Sequence, residues 1–371
     1  MFRRMADNLR RFDWVLLVCV LALYALGLAA IYSVSLSHEP PDFTDFHKQI
    51  IFGVCGFALA FMVGMANYSG WRVYGRVIFM AVVVALIAVL FFGATIHGTR
   101  GWFSALGINV QPVELAKIAL VVALAKFFSH RLQRFRTGKH IIVSAFLCLC
   151  LAVPVLLQPD FGSALVLLGA WFIVLILTGM NQRVIAVILL VLMVLSLVAW
   201  SFVLQDYQKQ RILVFVHPEM DPLGGGYNVS QSLIAIGSGR FFGRGLGFGS
   251  QSQLKFIPEA QTDFIFAVIA EELGFLGVAL VIICWSVIFY RLLRIARRAP
   301  DDFGLFMVLG IMAVFFIHIV VNIGMNMGLL PVMGISLPFL SYGGSFLVSA
   351  FIMLGMAESV RVRGRGWQEA I

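Results

Sequence analysis

The stretch KFIPEAQTDFIFAVIAEELG, Lys255 to Gly274, sets a polar, proline-bearing segment directly against an apolar run. Pro258 lies upstream, Asp263 stands at the junction, and Glu271 and Glu272 follow inside the run. A charge in a lipid-facing helix costs about 2.5–3.5 kcal/mol even on the lenient insertion scale, so such residues face a watery cavity or a partner. Three acids in so short an interval point to a polar site cut into a membrane, with Asp263 at its mouth.

The rest of the chain agrees with a membrane setting. Of its 371 residues 61% are apolar and only 12% charged, and the mean hydropathy is +0.97, which no soluble globular class matches. Apolar runs long enough to cross a hydrocarbon core of about 30 Å recur along it. They fall at about 14–34, 49–66, 77–93, 110–128, 140–157, 161–178, 184–203, 263–290, 304–328 and 337–359. The expected fold is all-α: a polytopic membrane protein of ten transmembrane helices, residues 1–371 forming one integral membrane domain. Arg10 and Arg11 precede the first run and no small-residue cleavage site follows it, so it is read as a retained span.

Basic residues set the expected orientation. With the N-terminus inside, the inner segments hold 18 of the 27 Lys and Arg residues, the outer ones seven, and Lys117 and Lys126 lie in a span. The positive-inside rule then puts both termini in the cytoplasm, the span set crossing the cytoplasmic (inner) membrane. The net charge of +9 serves topology and attraction to membrane lipids, and requires no nucleic-acid partner. All five cysteines fall within expected spans, which argues against a disulfide framework. The seven histidines are scattered and make no metal-ligand cluster.

One connection is long. Residues 204–262, between the seventh and eighth spans, form a large extracytoplasmic loop with a Gly-rich stretch from Gly237 to Gly249 and a short surface helix expected over Asn228–Ile236. Five of the seven outer basic residues, Lys209, Arg211, Arg240, Arg244 and Lys255, sit in it, as an anionic substrate would require.

Several residues are candidates for chemistry. Asp263 reads either as a general base in a low-dielectric setting or as a helix N-cap, and spacing alone leaves both open. Glu271 and Glu272 lie about 12–13 Å further along the helix and turn away from Asp263, which suits bonding to neighbouring helices better than chemistry. Glu114 and Lys117, three apart in NVQPVELAKIAL, share a helix face and can pair; the lysine can equally meet a phosphate. Asp160 in QPDFGS is a helix cap or a site residue. Arg211 in DYQKQRI and Arg100 in GTRGW are outer cations at span ends, placed for a diphosphate at headgroup level. In GMNMGLLPVMGISLPFLSYGGS, Pro331, Pro338, Gly343 and Gly344 suggest a broken or re-entrant backbone lining a cavity, with Asn322 and Ser345 as polar lining.

The chain resembles the SEDS family (shape, elongation, division and sporulation). The match runs over all ten spans through PEAQTDFIFAVIAEELGF, GISLPFLSYGGS, QPDFGSALVLL, QPVELAKIA and DPLGGGYNVSQSLIAIGSG with GRGLGFGSQSQLKF. Within the family, elongation-type members fit better than division-type or sporulation-type ones. The resemblance implies a peptidoglycan glycosyltransferase polymerising lipid II outside the cytoplasmic membrane for elongation and rod shape. It also implies a class B penicillin-binding protein as crosslinking partner and the elongation machinery around it. Asp263 matches the family's essential aspartate; Glu114, Lys117 and Asp160 match polar residues of its central cavity. Lys117, Arg211, Arg100 and Lys255 are then expected against the lipid diphosphate, and a divalent cation, Mg²⁺ or Mn²⁺, as a possible sharer of that work. Gln261, Gly101, Val113 and Phe346 depart from the family pattern, which has His, a second basic residue, Ser and Ser there. A lipid II flippase and a scaffold that only activates its partner are the rival readings; the first predicts internal repeats, and none is visible.

Overall fold

The structure, a computed structural model, describes residues 11–37, 40–96, 98–105, 108–129, 139–202, 206–217, 221 and 224–364. Of the inner basic residues counted above, Arg3, Arg4, Arg10, Arg131, Arg134, Arg136 and Arg365 lie outside these.

Ten apolar helices stand where ten spans are expected: α1 (Trp14–Leu36), α2 (Thr44–Met65), α3 (Ser69–Phe92), α4 (Pro112–Ser129), α5 (Lys139–Leu157), α6 (Phe161–Leu177), α7 (Gln182–Phe202), α11 (Ile265–Arg297), α12 (Asp302–Asn326) and α13 (Gly344–Val362). Seven of them, α1, α2, α3, α5, α11, α12 and α13, are by themselves long and apolar enough to cross a bilayer. Short aspartates start several: Asp13, Asp160 and Asp301 each accept a backbone N–H in the first turn of α1, α6 and α12.

The long connection is folded. It contains α8 (Asp206–Val216), α9 (Gly225–Ser238), which includes the expected short helix, and the single turn α10 (Ser250–Gln253). A small feature departs from the all-helical expectation. Residues 94–110 form a three-stranded antiparallel sheet of β1 (Ala94–Ile96), β2 (Thr99–Ala105) and β3 (Ile108–Val110), between α3 and α4. The last helix also begins later than expected: 327–343 is non-helical and α13 starts only at Gly344, so the broken backbone precedes the helix rather than interrupting it.

The core is built around α4, α12 and α13. α13 packs on α2, α12 on α4, α6 and α11, and α3 against α4. α4 buries most of its side chains, including Lys117 at 1% exposure.

α1 and α11 lie side by side and are tied at both ends. At one end Asp13 Oδ2 pairs with Arg291 Nε at 2.6 Å and with Arg361. At the other, Ser33 donates its hydroxyl to Glu272 at 2.5 Å. Twenty residues of α1 separate Asp13 from Ser33, and nineteen of α11 separate Arg291 from Glu272; at the helical rise both spans are about 30 Å, the thickness of a hydrocarbon core. The two ties therefore stand about one hydrocarbon thickness apart, and the last turn of α13 joins the Asp13 end through Arg361.

At the Glu272 tie α11 is broken. Gly274 has φ +64 and ψ −158, outside helical geometry. The Gly-rich loop fills the break: Arg240 and Phe241 accept from the amides of Phe275 and Leu276 at 2.9 and 3.2 Å, and Arg244 and Gly245 donate to Glu271 and Glu272 carbonyls at 3.0 and 2.9 Å. The backbones approach so closely that a methyl at Gly243 (φ +80) would overlap the Glu272 carbonyl, and one at Gly274 the Gly243 nitrogen.

Candidate active site

Asp263 closes the turn 259–264 that leads into α11. The helix's N-cap position is Phe264, without a side-chain cap; the Asn326 side chain supplies that bond instead, accepting from Ala267 N at 3.2 Å. The capping alternative for Asp263 is thus taken by a residue of another helix.

Its peptide is held from α12. Asn322 and Asn326, both fully buried, each donate a side-chain amide to the Asp263 carbonyl at 2.9 Å. Asn322 also donates to Ile335 O at 2.7 Å, and Asn326 O accepts from Ser232 of α9 at 2.8 Å. The adjoining residues are stitched to the loop before α13: Ser341 donates to Thr262 O at 2.6 Å and Tyr342 N to Gln261 O at 2.8 Å. Gln49 of α2 braces that loop through Ser341 O at 3.0 Å. Buried polar groups bonded this fully hold a backbone rigidly. The carboxylate faces Gly334: its Oδ2 lies 3.6 Å from where a side chain there would begin. Gly334, with φ +67, thus leaves that approach open.

On the other side of the turn lies a cavity of about 450 Å³, lined in part by Asp45, Lys255, Glu259, Gln261, Thr262 and Tyr342. Its wall mixes one ammonium, two carboxylates, an amide and hydroxyls, a donor and acceptor set suited to a hydroxyl-rich ligand. Burial and the hydrogen bond to Asp45 push the Tyr342 phenol above its ordinary pKa, so it remains a donor at neutral pH.

The remaining candidates gather around the start of α4. Lys117 Nζ pairs with Glu114 at 2.8 Å, and Glu114 accepts from Ser349 of α13 at 3.1 Å. Phe346, the departure from the family's serine, has the Lys117 ammonium 5.1 Å from its ring centroid. Its ring also stacks on His318 at 4.7 Å, and His318 Nδ1 bonds Ser336 O at 2.9 Å. Lys117 is therefore a buried cation paired with Glu114. Ser345 joins the chain before α4 to α13, donating to Asn109 O at 3.0 Å and accepting from Gln111 N at 3.3 Å. Asp160 caps α6 through Ser163 N at 2.9 Å and also accepts from Gln111 at 3.4 Å.

The outer cations divide. Arg100 spends its guanidinium on the carbonyls of Gly93 and Phe91 at 3.1 and 2.9 Å, closing the end of α3. Arg211 is exposed on α8, which packs against α9. Lys255, with φ +58, is exposed and on the cavity wall. Glu271 accepts from Gln251 and Ser252 amides at 2.8 and 3.0 Å, and Glu272 from Ser33 and Ser252, so both fasten the long loop. Among the described residues no group of three or more His, Cys, Asp or Glu side chains converges. These residues do not by themselves build a cage for Mg²⁺ or Mn²⁺.

Asn326, Ser341, Gln49 and His318 were not among the sequence candidates. The signal for the first was present: Asn322 and Asn326 are spaced i, i+4 in an apolar run, which puts two amides on one face of a membrane helix.

The family profile described as "Cell cycle protein", spanning FtsW, RodA and SpoVE, matches residues 13–365. The chain belongs to the SEDS family. It is 36% identical over 356 residues to peptidoglycan glycosyltransferase MrdB of Escherichia coli (strain K12), covering 94% of this chain and 93% of that one. It is 36% identical over 363 residues to stage V sporulation protein E of Bacillus subtilis (strain 168), covering 94% and 96%. Among solved structures it superposes on a chain of a peptidoglycan synthase complex that coordinates polymerization and crosslinking, with TM-score 0.79, 30% identity and coverage of 94% and 97%. The crystal structure of the rod shape determining protein RodA of Thermus thermophilus matches with TM-score 0.70, 29% identity and coverage of 94% and 96%. The family's folds are thus shared along nearly the whole chain, and this is a multi-pass membrane protein.

Proposed function

We propose that this protein is a peptidoglycan glycosyltransferase of the elongation type, polymerising lipid II, with Asp263 as its general base. The observation that carries the base assignment is the double amide grip of Asn322 and Asn326 on the Asp263 peptide, which fixes one carboxylate beside an open glycine.

The reaction needs one base and no covalent intermediate. The 4-hydroxyl oxygen of the acceptor's N-acetylglucosamine attacks the anomeric carbon of the donor's N-acetylmuramic acid. The bond from that carbon to the diphosphate oxygen breaks, configuration inverts, and undecaprenyl diphosphate leaves. The hydroxyl proton passes to Asp263 as the new bond forms. Lys255 on the cavity wall and Arg211 on α8 supply positive charge toward the leaving diphosphate. Lys117 contributes its field from the core rather than a contact, and no step is routed through a metal ion.

The orientation follows the basic residues, with both termini cytoplasmic and the turn at Asp263 outside. Lipid tails then stay in the bilayer while the sugars reach a site beyond the Glu272 tie. The likeness to a synthase-complex chain supports a class B penicillin-binding protein as partner.

The test is polymerisation of labelled lipid II by the purified protein, alone and with a class B penicillin-binding protein whose crosslinking site is blocked. Glycan strands on a gel are expected. Translocation of lipid II with no strands under any partner condition would replace this reading with the flippase.

A further inference from the structure

The Gly-rich loop that repairs the break in α11 has an outer face that the polymerisation chemistry does not use. Arg240, Phe241, Phe242, Arg244, Leu246 and Phe248 are all exposed on it, with Phe242 and Phe248 at 77%. Phe241 stacks on Phe275 of α11 at 5.6 Å, extending the apolar surface onto the helix. Among the described residues neither arginine pairs with a carboxylate; Arg244 makes one side-chain bond, from Nε to the Ser238 hydroxyl at 3.2 Å.

The depth of this face is fixed. The loop's amides bond to the Glu271 and Glu272 carbonyls and, through Gly247 N, to the Ser33 hydroxyl at 3.0 Å. Ser33 and Glu272 lie about 30 Å along their helices from the Asp13–Arg291 pair, the thickness of a hydrocarbon core. At that depth exposed phenylalanines would meet acyl chains and exposed guanidiniums would meet lipid phosphates.

Such a face has a chemical complement. Guanidinium presents a planar donor fork that matches phosphate oxygens, and aromatic rings favour the interfacial zone. Two nearly bare phenylalanines are costly in water, and two arginines without a carboxylate partner are costly in hydrocarbon; the headgroup zone suits both.

We propose that residues 240–248 are a docking surface for anionic phospholipid headgroups in the leaflet opposite the termini, phosphatidylglycerol being the probe chemistry. Arg240 and Arg244 take the phosphodiester while Phe242, Leu246 and Phe248 seat in the acyl region. Because the same loop bonds across the Gly274 break, headgroup binding bears directly on the placement of the helix that follows Asp263. The proposal does not rest on the glycosyltransferase reading.

The experiment uses the full chain in nanodiscs and compares the mobility of spin-labelled phosphatidylglycerol and phosphatidylcholine by EPR. Each guanidinium at the surface is worth about fivefold in affinity for an anionic lipid at moderate salt. Wild type should immobilise phosphatidylglycerol preferentially. Arg240→Gln with Arg244→Gln should lose about tenfold or more of that preference, and Arg240→Lys with Arg244→Lys should keep most of it. An unchanged preference in the glutamine variant would overturn the proposal, as would equal loss in the lysine variant. Should the glutamine variant fail to fold, salt decides on wild type: the preference must fall as salt rises, and a salt-independent one contradicts it. Retention of undecaprenyl diphosphate without discrimination between the two phospholipids would also contradict it.

Discussion

Asn322 donates its side-chain amide to the backbone carbonyl of Asp263 at 2.9 Å. This contact holds the proposed base through its peptide rather than its carboxylate, so positioning and proton acceptance separate on mutation. Asn322→Ala removes a buried donor and leaves the Asp263 and Ile335 carbonyls short of a partner, a loss of about 1–3 kcal/mol. The expected outcome is a fall in kcat of about tenfold to a hundredfold with KM for lipid II little changed. Steady-state kinetics check it; a pure KM effect would mean the asparagine binds substrate instead.

The Glu114–Lys117 pair predicts a stability pattern. Lys117→Ala strands a buried carboxylate and should cost about 3–5 kcal/mol, whereas Glu114→Leu with Lys117→Met should cost far less than the sum of the single changes. Thermal unfolding in detergent over the full double-mutant cycle measures this. A phosphate-contacting lysine would instead show additive stabilities and a raised KM for lipid II.

Arg100 is predicted to matter little to substrate. Its guanidinium is committed to the Phe91 and Gly93 carbonyls at an exposed helix end. Arg100→Gln should leave KM for lipid II within about twofold. A tenfold rise would restore the diphosphate contact expected from its position in the sequence.

Gly243 and Gly274 hold the loop in α11's break. Gly243→Ala puts a methyl onto the Glu272 carbonyl and demands a left-handed residue at φ +80, costing about 1–3 kcal/mol. Limited proteolysis should cut within 237–249 faster than in wild type. Unchanged cutting would mean the loop is held by Glu271 and Glu272 alone.

The sequence carried the ten helices because each is a long apolar run, and the membrane demands such runs. It carried Asp263, Glu114, Lys117 and Asp160 because a charge among apolar residues stands out. It hid what depends on pairing across the chain. Residues 94–110 form strands whose partners are only a few residues away, in a stretch too short and mixed to show alternation. The break at Gly274 was invisible because its bonds come from Arg240 to Gly245, some thirty residues upstream. Only three-dimensional neighbours reveal the bonds Arg100 makes to the Gly93 and Phe91 carbonyls and the contact of Lys117 with the Phe346 ring.

Proton transfer to the Asp263 carboxylate is the step on which the proposed reaction turns. Single-turnover polymerisation of lipid II by Asp263→Asn, beside wild type and Asp263→Glu, tests it most directly, with unfolding temperature and lipid II binding measured on the same preparations. The asparagine variant should be slower by about 10²–10⁴-fold with binding and folding intact, and the glutamate variant should recover part of the rate. A wild-type rate in a folded Asp263→Asn protein would contradict the base assignment.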